Sequence, residues 1–232
     1  MTDTASAGAP ALPNPSQPIV AAAPHIDSSQ AGIDEIVTEE DTGQAYYTRH
    51  YMHFEWPEGA SGATAGIGFD CGYSTPDQIR RSWTGIIPDE MVEAMVRAAG
   101  LKGKAAAEFV REHYASVTIT WDQAMAEFMQ RELPEWESRC RAALPNYDLL
   151  PGDCAGAIDS VAYNRGAAGF HAGGDRYTEM RNITAHMAAK EFDKIPGEIL
   201  SMRRLWPVGG DLWRRRGHEA ALFEQGLKTI AA

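Results

Sequence analysis

Residues 152–166 read GDCAGAIDSVAYNRG, and this run limits the possible folds more than any other part of the chain. Ala155, Ile158, Val161 and Ala162 recur at helical spacing and make a narrow apolar stripe of small residues. Small side chains let a helix approach its neighbours closely. The run is therefore expected to be a central helix enclosed by others, with Gly166 at the left-handed position that ends it.

The segments on either side carry their own start and stop signals. A helix is expected from about Gln30 to Glu40, capped by Ser28 or Ser29, with Ile33, Ile36 and Val37 inward. Residues 41–73 read as a loop and a small sheet. Ser74-Thr75-Pro76 is a cap followed by proline at the first helical position, and short helices are expected at about 76–83, 88–98 and 102–114. Thr120-Trp121-Asp122-Gln123 is a capping box opening a long amphipathic helix with Ala124, Phe128 and Leu133 inward. Pro134 should kink or restart it, and Pro145 should end the region. The charged residues along it, from Glu127 through Glu137 to Arg141, read as a solvated face. Two or three further helices are expected over 176–204, broken near Pro196-Gly197, before a last helix beginning near Asp211.

The chain has 232 residues, 44% hydrophobic and 23% charged, enough for one soluble domain with a real core. Residues 1–30 hold five prolines, seven alanines and no Lys or Arg, and read as a disordered tail before a domain spanning 31–232. A net charge of −11 argues against a nucleic-acid surface. Three cysteines, Cys71, Cys140 and Cys154, form no close pair, so they read as reduced thiols. No apolar run approaches the roughly 18 residues a membrane span needs, so no stable membrane insertion is expected. The first Lys or Arg is Arg49, so no secretory signal is expected and synthesis in the cytoplasm is. The histidines show no metal-like pairing beyond a weak His50-x-x-His53 with Glu55.

Residues 39–70 hold the groups suited to chemistry. Glu39 and Glu40 close the first helix, Trp56-Pro57-Glu58-Gly59 forms a turn, and Thr64-Ala65-Gly66-Ile67-Gly68 is a glycine-flanked β-like segment. Acid–base cleavage of a glycosidic bond needs a protonated carboxyl beside the leaving oxygen and a polar group that holds water. This stretch resembles the catalytic segment of phage-type lysozymes, the muramidase endolysins. That family has a Glu closing its first helix, then a hairpin with an acid, five intervening residues and Thr-Ile-Gly-x-Gly. Here Glu58 precedes Thr64 by that interval, with Ala65 in place of Ile. Tyr163-Asn164-Arg165-Gly166 is similar to the family's aromatic-Asn-x-Gly signature, and Leu212 through Phe223 to its closing helix, with Arg215-Arg216 and Glu219 at matching intervals. The stretch around RHYMHFEWP is longer than usual, and so is the region between Gly72 and Trp121.

The resemblance implies an α+β, lysozyme-like fold: a small β-hairpin lobe and a larger mostly helical lobe, with a cleft between. It implies that Glu40, with Glu39 as the alternative, is the general acid. Glu58, or Asp70 in its place, would be the second carboxylate, and Thr64 would position the attacking water. Asn164, Asp70 and Tyr47 would contact substrate. The implied reaction is inverting hydrolysis of the β-1,4 bond between N-acetylmuramic acid and N-acetylglucosamine. It would need no cofactor, with peptidoglycan as the partner of a monomer that acts on the wall or periplasm after release. A secreted wall-degrading toxin of the same chemistry and a catalytically silent wall-binding module are the alternatives.

Overall fold

The computed structural model describes residues 26–41 and 43–229, so most of the expected amino-terminal tail lies outside the described residues. About 70% is helical, with one two-stranded antiparallel sheet, an α+β architecture. Two helices come first, α1 (Gln30–Asp41) and α2 (Gln44–His50), followed by strands β1 (Thr64–Ala65) and β2 (Phe69–Asp70). Helices α3 (Pro76–Trp83), α4 (Asp89–Arg97), α5 (Lys104–His113) and α6 (Trp121–Glu127) continue the first half. The second half consists of α7 (Leu133–Ala143), α8 (Gly152–Arg165), α9 (Thr178–Ala189), α10 (Ile195–Ser201) and α11 (Asp211–Leu227). None of the described helices is long and apolar enough to cross a membrane.

Buried side chains gather in two clusters. The first joins Ile36 of α1, Ile67 and Phe69 of the hairpin, Trp83, Met95 and Phe128. The second joins Ile158 and Val161 of α8 with Ile183, Ile199 and Phe223. Helix α7 passes from one to the other, with Leu133 in the first and Cys140 in the second.

Helix α8 is the central helix, and every residue from Cys154 to Ala162 on it is buried. It crosses α1 at close range. A Cβ built on Gly156 would lie 2.5 Å from the Cα of Gly32, so the two backbones touch where the helices cross. This crossing fixes the direction in which α1 points its carboxyl-terminal end.

Several sequence expectations need correction. Ser29 caps α1, its Oγ accepting from the Gly32 N–H at 3.1 Å, but the packed chain starts before residue 31. The backbone N–H groups of Asp27 and Ser28 donate to Glu137, and buried Ser28 donates through Oγ to Asp159 at 2.8 Å. Glu137 and Glu127 are therefore not on a solvated face; both are buried. Residues 44–50, expected as loop, form α2, because Tyr47 anchors a short turn of helix into the core.

Pro134 leaves a single wide π-helical turn, Phe128–Glu132, at the joint of α6 and α7. A proline has no N–H to give, and its ring crowds the carbonyl one turn back, which the wider turn relieves. The break after α9 falls at Lys190, where φ is 57°, while Pro196 sits in the first turn of α10, where its missing N–H costs nothing. All three cysteines are free and buried.

Candidate active site

Glu40 lies in the last turn of α1, half-buried, with the buried Arg215 of α11 holding one oxygen: Nη1 donates to Oε1 at 2.6 Å. The same guanidinium donates through Nε to Glu219 at 3.2 Å and through Nη2 to the carbonyl and hydroxyl of Ser160 on α8. Arg216 donates to Glu219 at 2.9 Å and to Oδ1 of Asn164 at 3.3 Å. Burial raises the Glu219 carboxyl above its usual range despite the two guanidiniums beside it. Asn164 thus belongs to the network that fixes Arg215 and Arg216, while the following Gly166, with φ of 80°, ends α8 as its cap.

The hairpin approaches the other side of Glu40. Its turn, Gly66-Ile67-Gly68, has positive φ at both glycines, a conformation that side chains with a Cβ rarely adopt. At Gly68 a Cβ would lie 3.2 Å from Oε2 of Glu40 and 3.5 Å from the Tyr163 ring. Tyr163 of α8 ties the turn down, donating to the Ile67 carbonyl at 2.7 Å. Glu40, the hairpin turn, α8 and α11 therefore meet at one place, beside an open depression of about 320 Å³ lined by Glu39, Glu40, Tyr51, Arg214 and His218.

The other expected site residues divide. Thr64 is buried on β1, and its Oγ1 has no hydrogen-bond partner among the described residues. It pairs with Asp70 on one side and with Glu55 on the other, exchanging both backbone hydrogen bonds with Glu55 at 2.9 and 3.0 Å. Asp70 is committed to structure. Its carboxylate accepts from the N–H groups of Gly62 and Gly72, the latter at 2.7 Å, and holds the loop ends together. Glu58 is exposed, in the loop that joins Glu55 to Thr64 ahead of the hairpin, with φ of 72°. Tyr47, expected to contact substrate, is a core residue instead. Its ring is fully buried against Trp121 and its hydroxyl donates to the Ile119 carbonyl, because α2 turns it inward.

Two further titratable groups do not stand out in the sequence. Glu55 faces across the strand pair to Thr64, so its side chain leaves the sheet on the same face. Burial pushes its carboxyl up to about 7. Its alternation with buried Phe54 and its place directly before the turn are the available signals. The second is His218 of α11, whose ring meets Glu39 at 2.9 Å. The two neighbouring carboxyls point to different partners: Glu40 faces Gly68 and Arg215, Glu39 faces His218.

Residues 35–138 are similar to a protein family described as a domain of unknown function, DUF8812. The match covers under half of the 232-residue chain. It takes in the end of α1, the hairpin and α3 to α7, which is nearly the extent of the first buried cluster. No curated protein matches the chain.

Proposed function

We propose that the protein is a peptidoglycan hydrolase with a lysozyme-like fold, cleaving the β-1,4 bond between N-acetylmuramic acid and N-acetylglucosamine. The observation that carries this reading is the meeting of Glu40 with Gly68 and Arg215. Those three residues come from separate segments that resemble phage-type lysozymes, and nothing in a chance resemblance requires segments so far apart to converge on one carboxyl.

In this reading Glu40 donates the proton to the leaving oxygen. Arg215 and Tyr163 are positioning residues: one orients the carboxyl, the other fixes the hairpin turn. The hydroxyl of Thr64 orients the attacking water. The second carboxyl comes from the hairpin. Glu55 suits a general base better than Glu58, because a group raised to about 7 is matched to proton transfer near neutrality. Both carboxylate oxygens of Asp70 already accept from loop N–H groups.

Purified peptidoglycan, with loss of turbidity followed and released muropeptides identified by mass, tests the proposal. Wild-type protein should release products with new reducing ends at N-acetylmuramic acid. Absence of such ends, with the protein bound to the wall, would replace the hydrolase by a silent wall-binding module. Products cut at amide bonds would refute both.

A further inference from the structure

We propose that Glu35 and Glu39 of α1 and His218 of α11 form a binding site for a divalent transition-metal ion, with Zn²⁺ the best-matched candidate. Glu35 and Glu39 are four residues apart and so stand on one face of α1. His218 reaches them from the facing helix: Nδ1 lies 2.9 Å from Oε1 of Glu39 and 3.9 Å from Oε1 of Glu35. All three donor atoms lie within 4.8 Å of one another. Four-coordinate Zn²⁺ with ligands at about 2.0–2.1 Å needs donors about 3.4 Å apart, so small side-chain movements complete the geometry.

A second observation points to a cation. Oε1 of Glu35 is buried and makes no hydrogen bond among the described residues, with His218 Nδ1 standing off at 3.9 Å, and burying an oxygen without a hydrogen bond is costly. Around it, Glu35, Glu39, Glu40 and Glu219 face the guanidiniums of Arg215 and Arg216, four carboxyls against two fixed cations. Arg214, which also borders the depression, is turned to Asp211 and the Gly209 carbonyl instead. The depression of about 320 Å³ beside His218 gives an entry path and room for water as the remaining ligand. An imidazole in the set selects Zn²⁺ and its transition-row neighbours over Mg²⁺ or Ca²⁺, which prefer all-oxygen ligands.

The inference does not depend on the hydrolase reading, and its test uses no catalysis. Chelator-treated full-length protein is titrated with Zn²⁺ in a calorimeter, and thermal unfolding is followed with Zn²⁺ and with Mg²⁺. Co²⁺ serves as a visible-absorption probe. The expected result is one Zn²⁺ per chain, a Tm that rises with Zn²⁺ but not with Mg²⁺, and the visible band of a low-coordinate Co²⁺ site. His218 is 60% exposed, so His218→Ala should fold normally. It should bind Zn²⁺ at least about tenfold more weakly, since loss even of an outer-shell partner costs that much. Glu39→Gln, which keeps the shape, should do the same. Failure of the wild type to bind Zn²⁺ overturns the proposal. So does equal binding by wild type and both variants, which would assign the ion to other residues.

Discussion

The Gly32–Gly156 crossing predicts opposite outcomes for one chemical change made at two helical glycines. Gly156→Ala removes a backbone entropy cost and on helix propensity alone gains about 1 kcal/mol. Its Cβ, however, would stand 2.5 Å from a backbone carbon of α1, which has no rotamer by which to move away. Ordinary carbon contacts begin near 3.5 Å, so the helices must part by about 1 Å along the length that buries Ile33 and Ile36. Overpacking of this kind costs about 1–3 kcal/mol and sometimes more. Because rigid backbone meets rigid backbone, the upper end applies, and the net loss should be about 2 kcal/mol. For a chain of this size that lowers Tm by about 4–8 °C. At Gly197, inside α10, an added Cβ would meet nothing within 4 Å, and φ is ordinary. Gly197→Ala should raise Tm by about 1–4 °C through the propensity gain alone. Thermal unfolding by circular dichroism, with both variants in one buffer, reads the difference. A Gly156→Ala protein as stable as wild type would refute the close crossing, and with it the account of what aims α1 at the hairpin.

Further outcomes follow from the site and its supports. Glu40→Gln should lower wall-lytic activity at least ~100-fold with Tm kept, as for a positioned acid, and unchanged activity would remove Glu40 from the mechanism. Glu55→Gln should lower activity more than Glu58→Gln; the reverse order in the same turbidity assay would return the second role to Glu58. Glu219→Ala should cost about 3–5 kcal/mol in urea unfolding, because it leaves Arg215 and Arg216 buried without their shared carboxylate. Asp159 is fully buried, and burial pushes its carboxyl from 3.8 to about 7 in spite of hydrogen bonds from Tyr147, Cys140 and Ser28. Its folded value lies above its unfolded one, so the folded state is favoured below about pH 4 and loses that advantage as pH rises through 7. The change is on the order of 4 kcal/mol at most. Asp159→Asn should flatten the fall in stability between pH 4 and 7, and an unaltered pH profile would refute the assignment.

Sequence signals hold in the fold where they are satisfied locally. The capping boxes at Thr75 and Thr120 both form, with Gln78 and Gln123 reaching back as their spacing requires. Ser29 caps α1, and the small-residue run at 152–166 is the buried central helix. What the sequence hides depends on contacts distant along the chain. Glu127 and Glu137 look like surface charges on α6 and α7, and only the chain before α1, 109 residues away, explains why Glu137 is inside. Tyr47 turns inward for the same kind of reason, since its partner carbonyl is at Ile119. The pairing of Arg215 and Arg216 with an acid is legible in the closing helix, and both arginines do meet Glu219. Glu55 does not stand out, because the strand pairing that sets it opposite Thr64 spans a loop whose register no local pattern fixes.

The ion pair between Glu40 and Arg215 joins residues 175 positions apart. A ribosome adds about 5–20 residues each second, so roughly 9–35 s separate the making of the carboxylate from the making of its partner. During that interval α1 can lie on nothing that α11 supplies, and the depression beside Glu40 has no far wall. A chain interrupted between residues 70 and 215 would hold the carboxyl and the hairpin yet lack the guanidinium that orients the carboxyl. The arrangement of Glu40 against Arg215 therefore forms only after residue 215 has been added.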